Sequence, residues 1–439
     1  MNITIIGTGY VGLVTGVCLS NVGNKVICFD IDKEKISLLN SGKIPIYEPE
    51  LKQKMLSGVQ SSNLNFTFDK RMAITQSDII FITVGTPTLD NGNPDLSYIE
   101  SVSNMIGNNL NSDKTVVIKS TVPVGTSAKV KSIIEECIRD RNLDFKIDVI
   151  FNPEFLKEGK AVRDFESPDR IVLGYEKEDS LNRLVDLYRP FNLHHDKIVK
   201  MDLKSAELTK YASNAFLATK ISYINEIANV CEKVGANINS VRKGICSDSR
   251  IGYDFLYPGV GFGGSCFPKD LHALKTFSKD AGYETSIVDS VIKVNYKQRH
   301  LFADKVINFF EGKSDVCIAV WGLSFKPETD DVREAPSIDI IRKLLDSNFF
   351  IRAYDPIAID NFSKVVNNEK LIFLDNLYDV LDGADALLLL SEWNEFRSPD
   401  FNKMAQLMNQ PVIFDGKNIY SKENITSRGF KHFQVGVKS

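Results

Sequence analysis

The chain opens with MNITIIGTGYVGLVTGVCL, residues 1–19, and this stretch decides the fold. Ile3–Ile6 is a short β-branched run, Gly7-Thr8-Gly9-Tyr10-Val11-Gly12 is a glycine-rich turn, and the apolar residues beyond it read as a helix. In such a strand–turn–helix unit one glycine makes the tight turn, one lets backbone approach a pyrophosphate, and one permits close helix–strand packing. The phosphates then sit over the helix N-terminus, where free N–H groups and the dipole favour anions. A second strand, Lys25–Phe29, ends at Asp30, about 20 residues on, where a carboxylate can accept both ribose hydroxyls and repel a 2′-phosphate. That favours NAD over NADP. Asp32 is a rival for the ribose, but Asp30 stands nearer the strand end. With no basic residue before Lys25 and four glycines, the segment is strand, turn and helix rather than a signal peptide.

Strand-like runs and helical stretches alternate from here to about residue 200. The strands expected are Ile3–Ile6, Lys25–Phe29, Ile79–Val84, Thr115–Lys119, Asp148–Phe151 and Ile171–Leu173. Such alternation implies βαβ units and a mostly parallel sheet, buried on both faces. Residues 204–299 change character: apolar positions from Leu208 to Val230 recur at helical spacing, and no proline interrupts 204–237. One long helix or a closely kinked pair is expected, serving as domain connector and dimer surface or simply as buried core. Alternation resumes near Asp315, with strands at Val316–Trp321, Phe349–Tyr354, Ala386–Leu390 and Pro411–Phe414 but no complete glycine fingerprint. The expected class is α/β, two doubly wound Rossmann-like domains joined by a long central helix. The divisions are 1–200, 201–300 and 301–439.

Composition narrows the function. A chain of 439 residues suggests two or three domains at roughly 100–200 residues each. With 43% hydrophobic and 25% charged residues it has the make-up of a soluble globular protein. Fifty-three Lys+Arg against 57 Asp+Glu argue against a general polyanion binder, so no nucleic-acid partner is expected. The run Ala386–Leu390 is too short to span a bilayer, and no membrane partner is expected. Seven cysteines without a C-x-x-C pair make a disulfide framework or zinc site improbable and point to a reducing cytoplasm. His194 and His195 have no evident third ligand, so they are read as solvent-facing and no metal is assigned.

The chemistry concentrates in GVGFGGSCFPKD, Gly259–Asp270. Four glycines in six residues allow backbone to approach a ligand closely, and Cys266 stands at a loop-to-helix boundary beside Lys269 and Asp270. Helix N-termini and cations lower a thiol pKa, and thiolate is the nucleophile. Cys18, Cys28, Cys231 and Cys317 are read instead as small buried hydrophobes, while Cys137 and Cys246 have no chemical context. Glu154 and Glu158 lie four apart after a strand; on a helical turn they would share a face, as proton carriers or as a solvated acidic pair. Lys210 and Asn214, at i and i+4 on the long helix, can converge on one ligand. Gly85-Thr86-Pro87 and Ser120–Gly125 follow strands at their carboxyl ends, where ligands of parallel sheets bind.

Taken together, GTGYVG, VGTPTLDNG, STVPVGT, NPEFLKEG, SPDRIVLG, ELTKYASNAFLATKISYINE, RIGYDFLYPGVGFGGSCFPKDL and GLSFKPETDDVREAPS resemble the UDP-glucose 6-dehydrogenase family, within the wider nucleotide-sugar 6-dehydrogenases. The resemblance covers essentially the whole chain. It implies an N-terminal NAD-binding domain, a central dimerising helix, a C-terminal UDP-holding domain, and UDP-glucose as substrate. The implied reaction is a four-electron oxidation of the sugar C6 alcohol to a carboxylate, using two NAD⁺ and a cysteine-bound thiohemiacetal and thioester. By position, Cys266 is the nucleophile and Lys210 polarises the oxyanion. Asp270 activates water or tunes Cys266, Asn214 holds the C6 oxygen, Glu154 is the acid/base near the thioester, and Thr121 positions water. For the cofactor the resemblance adds Val11, Asp30, Lys35, Thr86, Thr121, Glu158 and Arg333 to Gly7, Gly9 and Gly12. For the UDP-sugar it adds Glu154, Phe155, Leu156, Lys157, Glu158, Lys210, Asn214, Phe255, Leu256, Tyr257, Pro258, Gly259, Gly263 and Lys326. Arg250 resembles an arginine that reaches substrate from the partner subunit of a homodimer.

One departure stands out. The family often has Asp-Gly-Arg-Asn near the C-terminus, where this chain has Asp415-Gly416-Lys417-Asn418, and lysine lacks the bidentate fork suited to phosphate. Three alternatives remain: a UDP-N-acetylhexosamine dehydrogenase of the same chemistry, a single-step hydroxyacid dehydrogenase of the 6-phosphogluconate type, and a non-catalytic NAD- or nucleotide-sugar-binding protein. Cys266 and residues 315–439 count against the second, and the presence of Cys266, Lys210 and Asp270 against the third.

Overall fold

A computed structural model describes residues 1–89, 92–193 and 195–438; Asp90 and Asn91 of the VGTPTLDNG segment, and His194 of the histidine pair, lie outside the described residues. The chain forms two compact units, Met1–Ser213 with His272–Phe277, and Asn214–Leu271 with Ser278–Ser439.

The first unit is built on eight strands: β1 Asn2–Ile6, β2 Lys25–Phe29, β3 Leu64–Thr67, β4 Ile79–Ile82, β5 Lys114–Ile118, β6 Ile147–Phe151, β7 Ile171–Gly174 and β8 Ile198–Met201. Their order is β3-β2-β1-β4-β5-β6-β7-β8, parallel except where Phe151 of β6 pairs antiparallel with Gly174 of β7. The order reverses between β1 and β4, and ligands of such sheets bind outside the carboxyl ends at that switch. Period-two alternation sends Ile5, Phe81, Val117 and Ile150 into one core and Ile6, Ile80, Ile82, Val116 and Ile118 into the other.

The second unit holds a six-stranded parallel sheet: β9 Cys317–Trp321, β10 Phe350–Tyr354, β11 Leu371–Phe373, β12 Ala386–Leu389, β13 Val412–Asp415 and β14 Lys431–Gln434. Its order, β11-β10-β9-β12-β13-β14, repeats the same reversal. Asp355, directly after β10, stands where Asp30 stands after β2. Its two oxygens accept from Leu323 N, Ser324 N and Oγ, Ile357 N and Ala358 N, so here the acidic residue closes backbone turns.

Leu203–Val234 is one continuous helix of 32 residues, about 48 Å at 1.5 Å per residue, which decides between the single helix and the kinked pair. The expected fold class is the one observed. Four strands went unread, β3, β8, β11 and β14: each is three or four residues long and at a sheet edge; β3, β8 and β14 carry polar or charged residues such as Asn65, Lys200 and Lys431, and β11 is only Leu371–Phe373. Residues 152–157 lie in neither a helix nor a strand, so Glu154 and Glu158 share no helical face and the solvated pair does not form: Glu154 is buried and Glu158 half-buried. Cys317, at the start of β9, is half-buried rather than a core residue, whereas Cys137 and Cys246 are buried.

Candidate active site

In the first unit the glycine turn divides its labour. Gly7 has φ +98°, and a Cβ there would lie 3.1 Å from the Thr83 carbonyl oxygen. A Cβ on Gly12 would lie 1.9 Å from the Gly7 carbonyl oxygen, so helix and strand meet at a distance only glycine allows. A Cβ on Gly9 would meet nothing within 4 Å. That open face is the cap of the helix Tyr10–Asn21, with Val11 half-buried in its first turn, and the free N–H groups there suit a pyrophosphate. These residues fit a dinucleotide.

Asp30 is buried behind this turn. Its Oδ2 accepts from Thr8 N at 2.8 Å, Thr8 Oγ1 at 2.7 Å and Lys35 Nζ at 3.1 Å, and its Oδ1 from Asp32 N at 3.1 Å. Burial pushes its pKa up, but these donors outweigh it and hold the carboxyl below its ordinary range. Asp32 instead caps the next helix, accepting from Lys35 N. Thr86, after β4, donates through Oγ1 to the Thr121 carbonyl at 2.8 Å, joining the two loops at the carboxyl ends of β4 and β5.

The irregular segment after β6 carries a buried ion pair. Lys210 Nζ lies 2.8 Å from Glu154 Oε1 and 2.7 Å from the Glu154 carbonyl, with side chains 4% and 7% exposed. Glu154 Oε2 accepts from Leu156 N at 2.7 Å. Burial raises the pKa of Glu154, yet Lys210, Leu156 N and the nearby Lys119 together bring it below the ordinary value. Two cations lie over the Phe155 ring, the Arg170 guanidinium 3.7 Å and Lys210 Nζ 5.3 Å from its centroid. Lys157 turns away to Asp164 at 3.0 Å.

In the second unit Cys266 directly precedes the helix Phe267–Asp280, half-buried, with Ser265 Oγ 3.6 Å from its sulfur. Its carbonyl accepts from Asp270 N at 2.9 Å, closing the first turn. The Asp270 carboxylate is buried there, accepting from Asn214 Nδ2 at 2.6 Å and facing Lys269 Nζ at 2.9 Å. Cys266 and the Asp270 carboxylate thus stand one helical turn apart, and the Asn214 amide, from the long helix, meets the carboxylate.

The glycines before Cys266 bring backbone close to protein. A Cβ on Gly263 would stand 2.2 Å from the Glu334 carbonyl oxygen, and one on Gly259 would stand 3.1 Å from that of Gly416. Gly259 N donates to Asn225 Oδ1 and its carbonyl accepts from Gln298 Nε2, both at 2.8 Å. Asn295 holds Phe262 by both backbone groups, and Arg299 donates to the Phe262 and Glu334 carbonyls. The Tyr257–Gly259 stretch therefore lies against the Asp415–Asn418 turn, where Lys417 pairs with Glu392 at 2.9 Å.

The NAD-binding, central and UDP-binding domain profiles of the UDP-glucose/GDP-mannose dehydrogenase family match residues 1–192, 204–297 and 319–422. The chain belongs to this family. It is an NAD-binding dehydrogenase, 45% identical over 99% of its length to UDP-glucose 6-dehydrogenase TuaD of Bacillus subtilis (strain 168), covering 93% of that relative. Its fold matches that of a UDP-glucose dehydrogenase from Pyrobaculum islandicum at a TM-score of 0.90 and 31% identity, over 100% of this chain and 98% of the other. A UDP-D-ManNAc dehydrogenase from Pyrococcus horikoshii matches at 0.86 and 26%, over 99% of each.

The dehydrogenase thus gathers Lys210, Glu154 and Phe155 in one cluster, and Cys266, Asp270 and Asn214 in another. Leu256 and Pro258 are buried and Tyr257 exposed, and Phe255 takes a left-handed φ of +64°. Lys326 lies over the Phe325 ring. Arg333 is exposed and bidentate to Asp331, and Arg250 is 87% exposed and bidentate to Asp248. His195 is exposed.

Several organising residues went unread: Lys119, Asn152, Glu207, Asn295 and Arg299. Glu207, on the long helix, accepts from Gly125 N at 2.6 Å and from Ser127 N and Oγ at 2.8 and 2.7 Å, tying down the loop that follows Thr121. A lysine ending a β-branched run, as Lys119 does in VVIKS, is the one local signal among them.

Proposed function

We propose that this chain oxidises the C6 alcohol of UDP-glucose to the carboxylate of UDP-glucuronate. Bound NAD⁺ supplies the hydride acceptor at each of the two oxidations, two molecules being reduced per sugar. The Gly7–Gly12 turn, Asp30, Lys35, Thr86, Thr121, Glu158 and Arg333 are the residues proposed to hold it. In the first oxidation the C6 hydroxyl loses its proton, the C6 oxygen being held by Asn214 and its developing charge met by the Lys210 ammonium. The Cys266 sulfur then adds to the aldehyde carbon, and the new C–S bond keeps the aldehyde from escaping as a thiohemiacetal. Loss of the second hydride leaves a thioester. Water positioned by Thr121 and activated at Glu154 or Asp270 adds to its carbonyl, the C–S bond breaks, and Cys266 leaves as thiolate.

The observation that carries the reading is Cys266 at the start of the helix Phe267–Asp280 with the buried Asp270–Asn214 bond one turn in. Glucose as the sugar is supported by the full-length identity to TuaD. We further propose a homodimer. On the long helix Phe216, Tyr223 and Val230, seven residues apart, are 66%, 52% and 50% exposed, forming an apolar stripe with coiled-coil period. No helix among the described residues is long and apolar enough to cross a membrane, and the seven free cysteines support a cytoplasmic home.

The test is the number of NADH formed per UDP-glucose consumed, in the wild type and in Cys266→Ser. Two per sugar in the wild type, with the variant stalled before free product, is expected. One per sugar sinks the four-electron route. Turnover on a UDP-N-acetylhexosamine but not on UDP-glucose keeps the chemistry and changes the sugar. Light scattering of Phe216→Glu/Tyr223→Glu should give a monomer, and an unchanged mass would refute the dimer surface.

A further inference from the structure

Beside the Glu154–Lys210 pair lies a second buried lysine that the mechanism does not use. Lys119 directly follows β5 and is 4% exposed. Its Nζ donates to Asn152 Oδ1 at 3.1 Å, and the Tyr188 hydroxyl donates to the same oxygen at 2.5 Å. Asn152 Nδ2 donates to the Val172 carbonyl at 3.0 Å, and Asn152 N to that of Ile118 at 2.9 Å. The amide is thereby fixed in orientation, two residues before Glu154. The Phe165 and Tyr188 rings lie 5.8 and 6.0 Å from the ammonium, and among the described residues no carboxylate pairs with it directly.

A buried cation without a contacting anion is costly, and replacing such a group by an apolar side chain is often neutral or stabilising. Its presence therefore asks for a role other than stability. The charged groups facing it are Glu154, which favours its charge, and Lys210, which opposes it; the Tyr188 phenol is pushed up by burial and stays protonated. Burial pushes the Lys119 ammonium down to about 8. Lys119 in turn is one of the cations that hold Glu154 low.

We propose that Lys119 is a positioning residue for the Glu154–Lys210 pair, fixing the Glu154 segment through Asn152 and holding Glu154 as a carboxylate. The proposal rests on the reading of Glu154 and Lys210 as groups at the reacting carbon.

The experiment compares Lys119→Met and Lys119→Arg by the pH profile of kcat and by melting temperature. In Lys119→Met the acid limb moves to higher pH by about half a unit or more, because removing a cation raises a neighbouring carboxyl pKa. Its melting temperature stays at or above that of the wild type. Lys119→Arg keeps the charge and the wild-type limb. An acid limb unmoved in Lys119→Met, or moved equally in both variants, overturns the proposal, as does a melting temperature lowered with no shift of the limb. A carbon-13 titration of glutamate carboxyls, with Glu154 assigned through Glu154→Gln, reads the same shift without substrate. If the wild type fails to oxidise UDP-glucose, the proposed function falls, and the carboxyl titration still decides Lys119. Should Lys119→Met not fold, Lys119→Gln takes its place in both measurements.

Discussion

Removing Lys210 while leaving Glu154 should unsettle the first unit more than removing both. In Lys210→Met the Glu154 carboxylate stays 7% exposed and keeps only the Leu156 N–H and the more distant Lys119 charge. At 2.8 Å and an effective dielectric near 20 the lost attraction is about 6 kcal/mol, offset by no longer desolvating the lysine. A net cost of roughly 3–5 kcal/mol is expected for one half of a buried pair. In a unit of this size that is a fall in melting temperature of roughly 6–20 °C, at roughly 2–4 °C per kcal/mol. Lys210→Met/Glu154→Gln carries no orphaned charge and should recover most of the fall. The unpaired carboxyl has a folded pKa above its unfolded one, so stability is lost as pH rises through the folded value. Lowering the pH within that window returns about 1.4 kcal/mol per unit. Far-UV circular dichroism is the suitable probe, because both tryptophans, Trp321 and Trp393, belong to the second unit. If the double variant melts as low as the single, or the single within about 2 °C of wild type, this account of the pair is wrong.

Gly12→Ala drives a Cβ into the Gly7 carbonyl oxygen, 1.9 Å away, and backbone cannot yield as a side chain can; the KM for NAD⁺ should rise at least about tenfold, about 1.4 kcal/mol, and calorimetric NAD⁺ binding unchanged from wild type would refute the packing role. Glu207→Ala leaves Gly125 N, Ser127 N and Ser127 Oγ without their acceptor and should cost about 1–3 kcal/mol. Burial raises the Glu207 pKa, so the wild-type advantage is widest below the ordinary glutamate pKa and narrows as pH rises through the raised one; melts at several pH values check both the size and the sign.

What could be read from sequence was what local pattern encodes. Gly7, Gly9, Gly12 and Asp30 announce themselves through spacing, and buried strands such as IIFI of β4 through unbroken apolar, mostly β-branched character. Glu154 and Glu158 misled because a spacing of four places side chains together only in regular structure, and residues 152–157 lie in neither a helix nor a strand. Their difference, one buried on Lys210 and one half-buried, is set by a lysine 56 residues away. The same holds for Asn295 and Arg299, which hold the backbone of residues 262 and 334 while Arg299 also pairs with Asp339, and for Glu207, which closes a loop some 80 residues earlier. Such residues are defined by partners that only the folded chain supplies.

Asp30 is held by four donors before any ribose arrives. Its rotamer freedom is surrendered during folding, so in its proposed ribose role it would offer an acceptor with nothing left to immobilise, a saving of about 0.5–1.5 kcal/mol. With Lys35 against it at 3.1 Å, the pair also presents no net charge. Selectivity against a 2′-phosphate would then come from stoichiometry, since hydroxyls can donate to Oδ1 and a dianion cannot, and not from long-range repulsion. Discrimination of that kind is insensitive to ionic strength, so the ratio of NAD⁺ to NADP⁺ usage should hold from low to high salt.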